Sequence, residues 1–198
     1  MGEKQNVFKR NKLIKSRSIL LLLFLLFLLK ISGCAHRNTD FFLTNNYIVS
    51  GKRGTDIKID VRDFIRPKET TGLLETLNLH EKSISEKVDI IFKYICGLKK
   101  SDEKLDYWQY PSETLERGGG DCEDKVFLLT SALIEAGLTN VYAVKGRYLG
   151  GGHFWVECDD LILDPSQRVS RMILKRKAFG YKAFFKFDSE KIFENRDL

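Results

Sequence analysis

Apolar residues recur along this chain with two periods, and each predicts a different kind of structure. Between residues 83 and 98, Ile84, Val88, Ile91, Phe92, Ile95 and Leu98 fall at helical spacing, which predicts an amphipathic helix packed on a core. Lys99 and Lys100 follow it, where a helix dipole favours cations. Pro111-Ser112-Glu113 opens a short second helix that ends at Gly118-Gly119-Gly120. A third starts behind Asp121. There Val126, Phe127, Leu128, Leu129, Ala132, Leu133, Ile134 and Ala136 cover nearly every side, so this helix should be central and buried. Asp121 suits its N-cap, Asp124 the answering position of a capping box, and Gly137 the left-handed C-cap. Beyond it the period drops to two: Val141–Tyr148, residues 153–158, Leu161–Asp164 and Tyr181–Phe187 read as strands. Residues 57–65 alternate in the same way before Pro67. Helices first and an antiparallel sheet after them predict an α+β domain.

The N-terminus breaks this picture. An unbroken run of Ile, Leu and Phe, residues 19–29, is too short to span a bilayer, which takes about 20 residues, and has the length of a secretory h-region. Ile31-Ser32-Gly33-Cys34 follows directly and resembles the bacterial lipoprotein signal, which implies lipidation of Cys34. Lys30 sits close to the cleavage point, so an uncleaved anchor with the same outcome stays open. Either way the expectation is an exported domain held at a bacterial cell membrane or outer membrane. The expected division is a signal over residues 1–33, a lipidated cysteine and tether over 34–55, and one domain over 56–198. Export also changes how the cysteines read. With Cys34 lipidated, Cys96, Cys122 and Cys158 remain, and an odd number outside the cytosol points to a free thiol.

Net charge adds little once it is located. Of the chain's 198 residues, 33 are Lys or Arg and 27 Asp or Glu, a formal +6. Residues 1–33 hold seven of the bases and one acid, so the remainder carries 26 of each and is formally neutral. A nucleic-acid partner loses its main support. The hydrophobic share of 43% suits a packed core, which excludes disorder of the whole chain.

The chemistry gathers around Cys122. A thiol attacks only as thiolate, and a helix N-terminus with a nearby imidazole lowers its pKa. Asp121, Glu123 and Asp124 work against that, so a positive partner is required. His153 begins a strand separated from Asp164 by one tight hairpin. If Asp159-Asp160 is its turn, Trp155 faces Asp164 and His153 faces Ser166. His153 and Asp164 then become diagonal neighbours on one face, about 7–8 Å apart at the backbone, which their side chains can bridge. Phe154, Val156, Cys158, Leu161 and Leu163 take the other face and pack inward, leaving Cys158 in the core. Cys96 reads as a small packing residue of its helix.

Gly120-Asp121-Cys122-Glu123-Asp124, His153-Phe154-Trp155-Val156-Glu157 and Asp164-Pro165-Ser166 are similar in order, spacing and flanks to the transglutaminase-like superfamily. Trp108-Gln109-Tyr110-Pro111-Ser112-Glu113 resembles the lead-in of its bacterial cysteine proteinase branch, and together the motifs cover residues 84–166. The resemblance implies a papain-like mechanism on an α+β fold in which a central helix, with cysteine at its N-terminus, packs on an antiparallel sheet. It assigns Cys122, His153 and Asp164 as the triad of an amide or peptide hydrolase. It adds an oxyanion donor from Trp108, Gln109 or Tyr110 and a protein or peptide substrate at the cell envelope. The triad itself requires no cofactor. In the adhesin-cleaving branch, acids beside the nucleophile bind calcium, and Asp121 and Glu123 match those positions, although capping explains Asp121 equally well.

Three rivals remain in view. One is a catalytically inactive transglutaminase-like module that binds an envelope partner. Another is a transglutaminase or amide transferase with the same triad; hydrolysis is favoured because water is abundant at an envelope surface. The third is zinc on Cys122, His153 and Cys158, which hairpin alternation opposes by sending His153 and Cys158 to opposite faces. His36 and His80 read as surface histidines, and Gly150-Gly151-Gly152 as a flexible loop.

Overall fold

The computed structural model describes residues 41–101, 106–166 and 171–196. The expected signal over residues 1–33, the lipidation site Cys34 and His36 lie outside them. Seven strands form one antiparallel sheet: β1 (Phe41–Thr44), β6 (Val141–Tyr148), β7 (Gly151–Cys158), β8 (Leu161–Asp164), β9 (Arg171–Leu174), β10 (Tyr181–Phe187) and β11 (Ile192–Asn195). Their order across the sheet is β1-β11-β10-β6-β7-β8-β9. Two small ladders join β2 (Ile48–Ser50) to β3 (Lys58–Asp60), and β4 (Lys99–Lys100) to β5 (Gly119–Gly120). The helices are α1 (Thr71–Thr76), α2 (Ile84–Gly97), α3 (Pro111–Arg117) and α4 (Cys122–Glu135). None of the described helices is long and apolar enough to cross a membrane.

Helix α4 is the centre of the fold, as its all-round apolar sequence requires. Every residue from Glu123 to Leu133 is buried. Phe127 is fully enclosed, with its ring 5.1 Å from Phe64, 5.4 Å from Trp108, 5.7 Å from Phe154 and 6.1 Å from Phe187. One side chain thus ties the helix to the N-terminal turn, the lead-in segment and two strands. Burying a side chain of this size stabilises by about 1.5–3 kcal/mol. Alternation in β7 and β8 divides the sheet's faces. Phe154, Val156, Cys158 and Leu163 pack toward the helices, while Trp155 and Ile162 join Val144 and Ala183 in a second cluster on the opposite face.

The helices begin and end where their caps direct. Ser83 and Glu86 close a capping box at α2. Gly118 stops α3 in the left-handed conformation, φ +65°, and Gly137 follows α4 at φ +96°. Several expectations need correction. Residues 41–55, read as tether, contain β1, which pairs with β11, and β2, which pairs with β3; four- and three-residue strands are too short to show a period. Only residues 58–60 of the alternating stretch are strand, because Val61–Phe64 coils into a 3-10 turn capped by the Asp60 carboxylate. Lys99 and Lys100 extend a strand beside Gly119 and Gly120 instead of ending a helix. Gly151 and Gly152 lie within β7, so the turn is Leu149-Gly150.

Candidate active site

Cys122 opens α4 because the chain before it is clamped. The buried Asp124 carboxylate accepts from the Asp121 N–H at 3.2 Å and from the Gln109 N–H at 2.8 Å, fastening the helix start to the lead-in segment. Gly120 is required by the same clamp, since a Cβ there would lie 2.5 Å from the Asp124 Cβ. Lys125 Nζ donates to the Leu98 carbonyl at 2.6 Å and holds the end of α2 against this turn. The triple glycine is therefore explained by backbone packing.

Across from α4, the β7–β8 hairpin has the expected register, with Val156 opposite Leu163 and Cys158 opposite Leu161. The ladder stops there. Where β8 peels away, the Phe154 main-chain N–H comes near enough to the Cys122 sulfur to act against the rise of the thiol's pKa, which sets the thiol beside the backbone of His153's immediate neighbour. His153 Nε2 lies 2.8 Å from Asp164 Oδ2. With Nε2 engaged there, Nδ1 is the ring nitrogen left for proton exchange. Asp164 is fully buried and also accepts hydrogen bonds from Tyr181 Oη at 2.8 Å, Ser166 Oγ at 2.6 Å and the Ser166 N–H at 3.1 Å. Burial works to raise its pKa, but His153, Ser166 and Tyr181 outweigh it and hold the carboxyl below its ordinary value. It is therefore a carboxylate at neutral pH and a fixed acceptor for the imidazole.

The sulfur sits in a different electrostatic setting. Its S–H donates to Glu123 Oε2 at 3.0 Å. Burial pushes the thiol well above its usual range, the Glu123 and Asp121 carboxylates push it further, and the Phe154 N–H opposes them. Burial and the Asp121 charge in turn raise Glu123 to about 8. Asp121 Oδ1 is buried without a hydrogen-bond partner. Asp106 contributes a third acid. Burial acts to raise it, but Lys52 and the Trp108 indole, 2.9 Å away, more than offset that. A half-buried lysine faces the group from β6: Lys145 Nζ lies 5.4 Å from the Trp108 ring and 5.5 Å from the Phe154 ring.

The three lead-in residues line this region, yet their main-chain donors are taken. Trp108 N–H bonds the Lys52 carbonyl at 2.9 Å, Gln109 N–H bonds Asp124, and Tyr110 N–H bonds Glu113 at 2.7 Å. Trp108 and Gln109 are also buried almost completely. Their evident work is to brace the start of α4, so the expected oxyanion donor is not a main-chain N–H of this segment. Zinc fares no better. Cys158 packs into the core while His153 faces the other way, and among the described residues no group of three or more His, Cys, Asp or Glu could hold a metal ion. Cys96, Cys122 and Cys158 are free thiols.

Sequence reasoning missed Tyr181, Ser166 and Lys145. Ser166 had a signal, since the hairpin register already faced it to His153. Tyr181 and Lys145 had none, because β10 and β6 reach the site through pairings between distant stretches of chain.

No family model and no curated protein matches the sequence. Solved structures do match. Legionella pneumophila LapG is 19% identical with a TM-score of 0.57, covering 64% of this chain and 78% of its own. Its calcium-bound form is 19% identical with a TM-score of 0.56, covering 66% and 80%. The EGTA-treated form is 17% identical with a TM-score of 0.56, covering 65% and 77%. The shared fold is α+β and transglutaminase-like.

Proposed function

We propose that this protein is an exported, membrane-anchored thiol hydrolase of the transglutaminase-like kind, cleaving amide or peptide bonds through Cys122, His153 and Asp164. One observation carries the reading: the Cys122 thiol lies beside the main chain of Phe154, whose neighbour His153 is fixed to a buried Asp164 at 2.8 Å. The likeness to LapG, a cysteine protease of the same fold, supports peptidase activity and a polypeptide substrate. The N-terminal motif ending at Cys34 supports the anchor.

The chemistry follows from the donors and acceptors present. The Cys122 proton passes to His153 Nδ1, and the thiolate attacks the substrate carbonyl. The Cys122 N–H, one of the first-turn groups that α-helices leave unpartnered, meets the developing oxyanion. His153 then protonates the departing amine as the C–N bond breaks, leaving a thioester on Cys122. Water, deprotonated by the same imidazole, attacks the thioester; the acid leaves and the thiol is restored. An amine in place of that water would give transfer instead.

Calcium fits this site in its donor chemistry. Asp121 Oδ1 is a buried carboxylate oxygen without a hydrogen-bond partner, and burial and the Asp121 charge raise the pKa of Glu123. Hard carboxylate oxygens suit calcium, with water and main-chain oxygens completing its six to eight ligands. The calcium-bound form of LapG supports the same assignment. A bound ion would supply positive charge where two acids now keep the thiol protonated.

A second reading draws on the thiol's present partner. Because the S–H points at Glu123, an idle binding module also accounts for the geometry. Site-resolved iodoacetamide labelling separates the two. Hydrolysis requires Cys122 to react faster than a free thiol in calcium, slowing in chelator and in His153→Ala. Labelling indifferent to both changes, with no thioester on Cys122 after incubation with envelope extract, would sink the enzyme.

A further inference from the structure

The strand register lays a row of side chains across the helix-bearing face of the sheet. Phe154 of β7 is paired with Lys145 of β6, Lys145 with Phe185 of β10, and Phe185 with Glu194 of β11. Paired residues share a face, and Phe154 and Phe185 both belong to the core that packs on α4. One end of the row is therefore beside Cys122, whose thiol lies against the Phe154 main chain. The other end, at Phe185 and Glu194, lines a cavity of about 380 Å³ together with Tyr47, Arg147, Phe184 and Asn195. Neighbouring strands are about 4.8 Å apart, so three steps put Glu194 about 14 Å from Phe154.

Aromatic rings form the floor of this cavity. Tyr47 stacks on Phe185 with centroids 4.1 Å apart. The register shifts between Ala183 and Phe185, which leaves Phe184 unpaired with β6 and lets it pack against the same core as Phe185. Above the floor stand two charges. Arg147 lies two residues beyond Lys145 on β6, so alternation sets both on this face, and its guanidinium is 5.4 Å from the Phe184 ring. Glu194 faces it from β11. Neither Arg147 nor Glu194 makes a side-chain hydrogen bond or an ion pair to another described residue.

One cation and one anion beside an aromatic floor select against a charged occupant. An acidic side chain would meet Glu194 and a basic one Arg147, whereas an apolar one buries its surface on three rings. The two charges suit a main chain instead, since Arg147 can donate to a carbonyl and Glu194 can accept from an N–H. Between cavity and thiol, the half-buried Lys145 ammonium also has no hydrogen bond to a described residue and can meet a passing carbonyl. We infer that this cavity is a substrate subsite. It takes an apolar side chain, best an aromatic one, of an extended polypeptide whose scissile bond lies at Cys122. An extended chain advances about 3.4 Å per residue, so that side chain belongs to about the fourth residue from the bond. The inference rests on the hydrolase reading and adds the chemistry of the polypeptide that the hydrolase would select.

The test uses the full chain carrying Cys122→Ala, so that binding is read without turnover. A decapeptide of alanine and serine with p-benzoylphenylalanine at its centre is irradiated in its presence, and the cross-linked residues are located by mass spectrometry. The cross-link should fall on Tyr47, Phe184 or their immediate neighbours. A competitor with phenylalanine at the centre should displace the probe about tenfold better than one with alanine, glutamate or lysine there. Glu194→Gln leaves Arg147 as the cavity's one charge, so the glutamate competitor should gain about threefold, a change of preference that a folding defect does not produce. The inference falls if the cross-link lies elsewhere, if phenylalanine competes no better than alanine, or if Glu194→Gln leaves the glutamate competitor unimproved. It falls too if N-acetylphenylalanine amide competes as well as the decapeptide, since the cavity would then be a small-molecule site. Failure of the hydrolase reading shows separately, as a parent Cys122 that iodoacetamide labels no faster than a free thiol while the peptide still cross-links at the cavity.

Discussion

Helices α3 and α4 each carry a half-buried or buried glutamate in the first turn, and the two glutamates have opposite fates. At α3, Glu113 receives both Arg53 guanidinium nitrogens at 2.6 and 2.8 Å, the Tyr110 N–H at 2.7 Å and the Tyr107 hydroxyl at 3.3 Å. The Arg53 hydrogen bonds are the largest influence, and its pKa is lowered to about 2. At α4, Glu123 meets a thiol and another carboxylate, burial is the largest influence, and its pKa is raised to about 8. Both are glutamates of a first helical turn, Glu113 at its third position and Glu123 at its second; the partners differ. Where the structure needs only rigidity, it supplies a bidentate cation, with Arg53 and Arg66 also stacked 3.7 and 3.4 Å from the Tyr110 ring. Beside Cys122 it supplies no bidentate cation, and the buried carboxyl keeps its proton to higher pH.

The contrast can be broken from either side. The largest effect belongs to the nucleophile: Cys122→Ala should lower hydrolysis by at least about 10⁴-fold while leaving the melting temperature near the parent's, as read by peptide cleavage beside calorimetry. Next comes Arg53→Met, which strands a partly buried carboxylate at α3. Urea unfolding should register a loss of about 2–3 kcal/mol, and adding Glu113→Gln should recover part of it. A gain in stability would mean that the pair is not a clamp. On the other side, above about pH 8, where Glu123 ionises, Glu123→Gln removes a charge that disfavours the thiolate. In chelator, the alkylation rate of Cys122 should rise about tenfold, and its response to calcium should disappear.

The smallest effect is also the most diagnostic, because its sign differs between the two helices. Glu113 has a lowered pKa, so its stabilisation is complete above its ordinary 4.5 and is lost as pH falls toward 2. Glu123 has a raised pKa; the folded state keeps a proton that the unfolded chain releases, so stability present below 4.5 is lost as pH rises toward 8 in metal-free buffer. Glu113→Gln should flatten the acid limb of a stability profile and Glu123→Gln the neutral limb. If each variant flattened the other's limb, the assignment of strain to α4 would be wrong.

Much of the fold could be read in advance because its signals are local. Apolar spacing marked α2 and α4, and Pro111 with Gly118 bounded α3. The two-residue Asp159-Asp160 turn fixed the β7–β8 register, which alone put His153 and Asp164 on one face. The misses are non-local or short. Strand β1 closes the sheet against β11, some 150 residues away in sequence, and neither strand exceeds four residues. Trp108, Gln109 and Tyr110 suggested oxyanion donors; their main-chain N–H groups are taken by Lys52, Asp124 and Glu113, pairings that spacing along the chain does not show.

By itself, then, the sequence determined the order of elements, the buried central helix and the residue types of a thiol site, since period, capping and hairpin register act over a few residues. Tertiary structure alone decided that the Phe154 main chain lies beside the Cys122 thiol, that Tyr181 supports Asp164, and that Glu113 gains an arginine while Glu123 does not. Those outcomes depend on which distant strand or loop arrives beside a group. Hydrogen bonds and charges respond to distances of a few ångströms that spacing along the chain does not encode.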